Sequence, residues 1–256
     1  MQHDPHRIRL DASRELHARP FPILSATCRL VHVCVRVSPT TRDEVRAWLR
    51  ERVKEFPEDF HGHWERPGAD SWIRVERHTE FVAITQVVPN GLQFSEVAES
   101  AWLDRAPQDV LVLARLTSSV GGEMPADVEA VSTLRQGAVT AGSNFTPDNA
   151  GFTSWTVSFT QDPGDEPAGR LLQMILEIET YRTLAVMGMD RIRAVHPILQ
   201  RVANNLPRET TEMMEHDAMM ATLASLSAQE SELHSVWEKL AWRVGANQAY
   251  HELVFQ

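Results

Sequence analysis

The sequence predicts an α+β protein, in which an N-terminal mixed α/β domain is followed by a bundle of long antiparallel helices. Strand-like apolar runs alternate with helical stretches through the first part of the chain. The stretch QDPGDEP at 161–167 then joins turn formers to acids. Beyond it, apolar residues recur with helical spacing only. We therefore predict an α/β head over 1–161, a linker over 162–167 and a helical, coiled-coil-like domain over 168–256.

The elements of the head follow from local patterns in chain order. Val45, Trp48, Leu49 and Val53 mark one face of a helix over 40–55, with threonines at its start as cap candidates. Further helices are predicted over 94–103 and 125–134. Apolar runs bounded by turn formers predict strands at 28–37, 71–78, 80–88, 110–117, 135–141 and 151–159.

The helical half begins with a heptad pattern that starts at Leu171 and repeats through Ile178 and later positions. Small residues at Ala185 and Gly188 allow a neighbouring helix to approach closely. Pro197 removes a helical donor, which predicts a kink or break there. A turn is predicted at 207–210, followed by further helix, so two or three long antiparallel helices are expected.

Composition and charge narrow the class of partner. The net charge of −10 argues against a nucleic-acid or anionic-membrane surface as the main partner. Apolar stretches are shorter than the ~20 residues of a membrane helix, and the N-terminus lacks a secretory apolar core. We predict no membrane insertion by this chain and a cytoplasmic location. Cys28 and Cys34, ~20 Å apart on one strand, are predicted to be reduced thiols.

Short catalytic and metal motifs give little direction. The chain has no GxxxxGK, GxGxxG, HExxH or CxxC motif. His216, Met213 and Met220 have a helical spacing at which thioether and imidazole ligands converge, which suits Cu(I). The same spacing is typical of a methionine-packed helix face, so no metal is predicted, and no cofactor is indicated.

Five stretches carry a resemblance to a known family. In order they are ELHARPF at 15–21, VERHTEF at 75–81, NAGF at 149–152, GRLLQMILEIETYRTLAV at 169–186 and ANQAYHELV at 246–254. This series resembles the bacterial family known as domain of unknown function 3422. The family has no established activity. The resemblance also implies a further helix and an apolar membrane anchor after the position of Val254, so this chain is expected to be a truncated portion or a short form.

Two departures from the family pattern concern possible functional positions. SNFT at 143–146 stands where the family reads closer to TDFR, and ITQ at 84–86 replaces an aromatic-rich continuation. A function that depends on that acid and arginine is therefore not expected to carry over to this chain.

Polar residues of the family-like motifs form the predicted site, at the junction of head and helices. The catalytic candidates are Glu76, His78, Glu179 and Tyr181, and the ligand-binding candidates are His17, Arg19, Arg77, Glu80, Arg170, Glu177 and Arg182. Because arginines pair with carboxylates and phosphates, the predicted guest is an anionic small molecule.

Two functions remain open. In the first, the protein is a soluble scaffold or sensor that forms a homodimer or higher homo-oligomer through its helices. In the second, it is an enzyme of a specialised pathway that acts on the anion. Polar motifs that satisfy one another favour the scaffold, whereas a cleft with unpaired arginine and histidine favours the enzyme.

Overall fold

A computed structural model describes residues 20–58, 60, 62–68, 71–98, 102–212 and 219–255. Eight strands form one mixed sheet in the order β2-β3-β4-β1-β5-β8-β7-β6, and every neighbouring pair is antiparallel except β5 with β8. The strands are β1 (Cys28–Arg36), β2 (His63–Arg66), β3 (Ile73–Arg77), β4 (Phe81–Val87), β5 (Val110–Val120), β6 (Ala130–Leu134), β7 (Val139–Ser143) and β8 (Thr153–Phe159).

The helices are α1 (Arg42–Arg52), α2 (Phe94–Ala98), α3 (Asp165–Met187), α4 (Met189–Glu212) and α5 (Met219–Phe255), with a 3-10 turn at Arg135–Gly137. The described chain divides into two units, Met1–Thr180 and Tyr181–Gln256. The domain boundaries predicted at 162–167 stay a prediction.

Strand β1 shows how the sequence directs the two faces of the sheet. Successive side chains of a strand point to opposite faces. Val31, Val33 and Val35 therefore share one face, where they join the core formed with α1. The α1 residues Trp48 and Leu49 are buried there, as the helical pattern predicts. Burial of each such side chain contributes about 1.5–3 kcal/mol.

Helix α3 and the segment 20–26 cover the other face. Leu172 and Leu176 of α3 are buried, and the Leu24 N–H donates to the carbonyl of Asp165 at 3.1 Å. Gly169 permits the close approach, because a Cβ atom at this position would lie 1.9 Å from the carbonyl oxygen of Pro22. The segment 20–26 is thus fixed against the first turns of α3.

The predicted α+β class with a helical bundle is wrong. The described residues form an eight-stranded mixed sheet with several helices, mostly an α/β fold, and contain no bundle of long antiparallel helices. A heptad pattern reports an apolar stripe but not what covers it. The first part of the predicted seam lies on α3, where Leu171 and Leu172 are buried in the unit that contains the sheet rather than in a helical bundle.

In the second unit, α4 and α5 form one antiparallel pair. Gly188 lies beside Asn247, and Arg201 donates to Glu232 at 2.6 Å. Ala185 and Gly188 therefore stand where a helix approaches closely, as predicted. None of the described helices has the length and apolar character required to cross a membrane.

Of the kink or break predicted at Pro197, the break is not present, because helix α4 continues through this residue. The helix is interrupted at Gly188 instead, where glycine is a poor helix former and a Cβ atom would meet Asn247 of α5. Two further local predictions are wrong. The predicted turn at 207–210 lies within α4. The helix predicted at 125–134 is not formed, and the second half of this range is the edge strand β6. The first four residues of β6 are all exposed, so the sequence lacks the alternation of a half-buried strand.

Candidate functional site

A buried polar cluster lies on the α3-facing side of the sheet. We define the buried polar cluster as His32, Cys34, Arg74, Glu76, Thr85, Glu179 and Thr180. The strand register brings its members together: His32 and Arg74 both pair with Thr85, while Cys34 and Glu76 both pair with Ala83. Helix α3 supplies the remaining two residues. All seven are buried.

His32 is held at both ring nitrogens. Nδ1 lies 2.8 Å from the Thr85 hydroxyl, and Nε2 lies 2.9 Å from the Thr180 hydroxyl. Thr180 donates its single hydroxyl proton to the carbonyl of Leu176 at 2.8 Å, so its oxygen accepts from His32. The proton of the neutral imidazole is therefore on Nε2, and Nδ1 accepts from Thr85.

Cys34 and His32 lie as close together as a nucleophile and its base, but their protonation states do not allow that reaction. The Cys34 Sγ lies 3.3 Å from His32 Nε2. That nitrogen carries the proton, so it is not available to take one from the thiol. Burial lowers the pKa of His32 to about 4 and, as the largest cause, raises the pKa of Cys34. Both groups are therefore neutral at ordinary pH, and the thiolate needed for attack is absent.

Arg74 joins the sheet to the N-terminal segment. Its Nη1 donates to the carbonyl of Pro20 at 2.7 Å, and its Nη2 donates to Glu76 Oε1 at 2.9 Å. Glu65 of β2 lies 3.6 Å from Nη1. The Nε of Arg74 has no hydrogen-bond partner within the described chain. The Arg74 side chain is 2 % exposed, so its two strong contacts are made in a region of low dielectric.

Glu65 lies on β2, next to Arg74, and its acidity is shifted. Burial alone would raise the pKa of Glu65. The pKa is nevertheless lowered, because His63, 3.6 Å from the carboxylate, the hydrogen-bonding Trp72 and the positive charge of Arg74 together stabilise the ionised form. The Trp72 Nε1 donates at 2.7 Å. Glu65 therefore stays ionised and is not poised to act as a general acid near neutral pH.

The sequence pattern of the family described as "Protein of unknown function (DUF3422)" matches residues 4–256. The chain belongs to this family. The predicted resemblance is confirmed. Comparison with curated proteins and with solved structures gave no match.

The DUF3422 motif at 75–81 is divided between the two faces of the sheet. Glu76 lies in the buried polar cluster, whereas Arg77 pairs with Val82 and points to the α1 side. His78 stacks on the ring of Phe81 with centroids 4.1 Å apart. Glu80 is buried in the same turn, where its carbonyl accepts from Val37. These candidates thus do not converge on one point.

The DUF3422 motif on α3 places its polar residues in different environments. Glu179 is 1 % exposed and accepts from Trp155 Nε1 at 3.3 Å. Glu177 accepts from Gln173 at 2.6 Å, and Arg170 is exposed with its guanidinium 4.3 Å from the ring centroid of Phe21. The motif at 169–186 therefore contacts Trp155 of the sheet and Phe21, the last residue of the motif at 15–21.

The remaining sequence-based candidates lie in the second unit or outside the described residues. Tyr181 and Arg182 belong to the second unit. Their predicted roles stay predictions. His17, Arg19, Met213 and His216 lie outside the described residues, and Met220 is exposed. Among the residues that are described, no group of three or more histidine, cysteine or acidic side chains could hold a metal ion.

Sequence reasoning missed the centre of the cluster in this DUF3422 chain. His32, Cys34, Arg74, Thr85 and Thr180 were not candidates. One signal was present, since His32 and Cys34 are two apart on a strand and therefore share a face. Thr180 stands between the candidates Glu179 and Tyr181 in the sequence. Nothing in the local sequence shows that its hydroxyl contacts a histidine.

Proposed function

We propose that the protein is a non-catalytic scaffold that self-associates through its second unit. The observation that carries the first half of this proposal is the closed chain of hydrogen bonds from Thr85 through His32 and Thr180 to Leu176. Each link uses a donor and an acceptor that would otherwise be buried without a partner. Such a chain stabilises a fold, and both ring nitrogens of His32 are already used within it.

The chemistry of the cluster supports the same view against the enzymatic alternative. A catalytic acid or base needs a pKa near the working pH. Burial instead lowers the pKa of His32 to about 4 and raises the pKa of Cys34. Arg74 already binds a carbonyl and a carboxylate. An anion entering here would have to displace these partners within a packed layer.

The second unit supports the self-association. On α5, Leu223, Trp237 and Val244 are exposed and are separated by multiples of seven residues, so they lie along one stripe. Trp237 is 61 % exposed. On α4, Leu199 and Leu206 are exposed and also seven apart. One helix pair buries a single stripe on each helix, so a second apolar stripe on each is suited to another copy of the chain.

Charge does not oppose contact between copies of this unit. Tyr181–Gln256 contains seven arginines and lysines and nine aspartates and glutamates, whereas the whole chain has a net charge of −10. Most of the mutual repulsion between copies therefore comes from the first unit. A near-neutral apolar surface is the part of the molecule at which a second copy is least repelled.

Native mass spectrometry together with light scattering tests this proposal. We expect a dimer or a higher oligomer for the wild type, and a shift to monomer for Trp237→Glu and for Leu199→Glu, because each places a charge in the stripe. Val131→Glu is the matched control, since Val131 is also an exposed apolar residue but lies on β6 of the first unit. A monomeric wild type, or equal effects of all three changes, contradicts the proposal.

A further inference from the structure

Helix α5 carries charged as well as apolar residues on the face that is turned away from α4. Glu232 accepts from Arg201 of α4, which marks the side of α5 that lies against this neighbour. Each residue turns an α-helix by about 100°, so residues two apart lie on opposite sides of it. Glu230 and His234 are each two residues from Glu232, and both are exposed. They therefore lie on the outward face.

The outward face of α5 consists of two rows that each repeat every seven residues. The first row is Met220, Ser227, His234 and Ala241, and the second row is Leu223, Glu230, Trp237 and Val244. All are exposed except Ala241, which is half-buried. We propose that two copies of the chain meet through these rows, with α5 antiparallel to α5 of the second copy and Trp237 of each opposite Ser227 of the other. The contact rests on the proposed function, and it adds which helix associates and in which direction.

The sizes of the side chains agree with this register. In three of the four layers a larger side chain of one copy lies opposite a smaller one of the other: Trp237 opposite Ser227, Leu223 opposite Ala241 and Met220 opposite Val244. Large residues that face small ones allow two helices to pack closely without overlap. Twofold symmetry repeats each layer on the other side of the axis, so one match of sizes counts twice.

The fourth layer joins the two charged positions of the rows. Glu230 lies opposite His234 of the second copy, and a carboxylate and an imidazole are complementary across an interface. On its own helix His234 is 3.4 Å from Glu238 through Nε2, and Glu230 is four residues before it. The other nitrogen, Nδ1, is the atom of the ring that the carboxylate of the second copy would contact.

Other arrangements of the same two helices lose these matches. In a parallel pair each residue of the rows lies opposite its own copy, so Glu230 would face Glu230 and Trp237 would face Trp237. Like charges opposite one another are unfavourable. A slide of the antiparallel pair by seven residues places Glu230 opposite Ala241 or Ser227, neither of which carries a compensating charge. The sequence of the rows thus favours one direction and one register.

A short thiol-specific crosslinker added to the full chain tests the direction of the contact. We expect the double variant Met220→Cys/Val244→Cys to form a covalent dimer, because each new cysteine lies opposite the other position in the second copy. Either change alone should give no covalent dimer, since the two copies of each position are about 36 Å apart along an antiparallel pair. Cys34 is buried and Cys28 is partly buried, and the wild type gives their background.

A charge at one of two neighbouring positions tests the register by light scattering. Ser227→Glu places a carboxylate opposite Trp237 of the second copy and should raise the dissociation constant of the dimer at least about tenfold. Ala228→Glu is the matched control: it adds the same charge to the next residue, which is exposed but lies outside the two rows. This control should associate as the wild type does.

The outcomes separate this contact from self-association as such. A dimer in which Met220→Cys alone is crosslinked, or in which the double variant is not, overturns the antiparallel contact through α5 but keeps the proposed function. Equal dissociation constants for Ser227→Glu and Ala228→Glu do the same. A monomeric wild type overturns both. Covalent dimer from the double variant only, with dissociation by Ser227→Glu only, supports the contact.

Discussion

Lowering the pH from about 7.5 to about 4.5 is expected to destabilise the protein through His32. The imidazole is buried, neutral and bonded at both nitrogens, and burial lowers its pKa from 6.5 to about 4. Its pKa in the unfolded chain is the ordinary one. Below that value the unfolded state binds a proton that the folded state does not, so the free energy of unfolding falls with pH.

The size of this effect follows from the two pKa values. The contribution is fully present above pH 6.5, is lost as the pH falls through the range between the two values, and changes no further below about 4. Between about pH 7.5 and about pH 4.5, linkage gives a loss of about 2–3 kcal/mol from this one residue.

Urea unfolding of the wild type and of His32→Leu at both pH values measures this loss. Carboxylates also titrate in this range, and the pKa of Glu65 is lowered, but these groups are present in both proteins. We therefore expect the wild type to lose about 2–3 kcal/mol more than the variant does. Equal losses in the two proteins would show that His32 is not kept neutral by the fold, and the reasoning about the cluster would fail.

Three further substitutions probe the same layer, each measured by urea unfolding. Arg74→Met is expected to cost about 3–5 kcal/mol, because it leaves the buried Glu76 without its guanidinium, and the double change with Glu76→Leu should recover part of this. Gly169→Ala should destabilise by about 1–3 kcal/mol, because the new methyl group meets the backbone of Pro22; a neutral result would contradict the close approach. Thr180→Val should cost about 1–3 kcal/mol by removing a buried acceptor, whereas the exposed Thr133→Val should change little.

Elements with a strong local pattern could be predicted from the sequence. Strand β1 is a nearly continuous apolar run, and α1 has its buried residues at Val45, Trp48 and Leu49, so periodicity alone is sufficient. Strand β6 is different. It lies at the edge of the sheet and its side chains are mostly exposed, so its sequence has no apolar alternation and its structure depends on pairing with β7.

The candidate site was less predictable because its contacts are long-range. His32 and Thr180 are separated by 148 positions, and their contact depends on both the strand register and the rotation of α3. The motif at 169–186 was predicted to carry site residues, and one of these candidates, Glu179, lies in the buried polar cluster. The sequence could not show that Glu179 of α3 would accept a hydrogen bond from Trp155 of β8, because helical periodicity describes one element and not its neighbour.

The polar contacts of α3 select its position on the sheet more strictly than its apolar contacts do. Leu172 and Leu176 would remain buried after a small shift of the helix, because apolar packing is not directional. The bond from His32 to Thr180 would not survive such a shift, and a buried N–H without an acceptor costs about 1–3 kcal/mol. The buried polar cluster therefore contributes to the choice of one arrangement among several that bury similar apolar area. This is a structural task, and the neutral state of His32 and Cys34 is what that task requires.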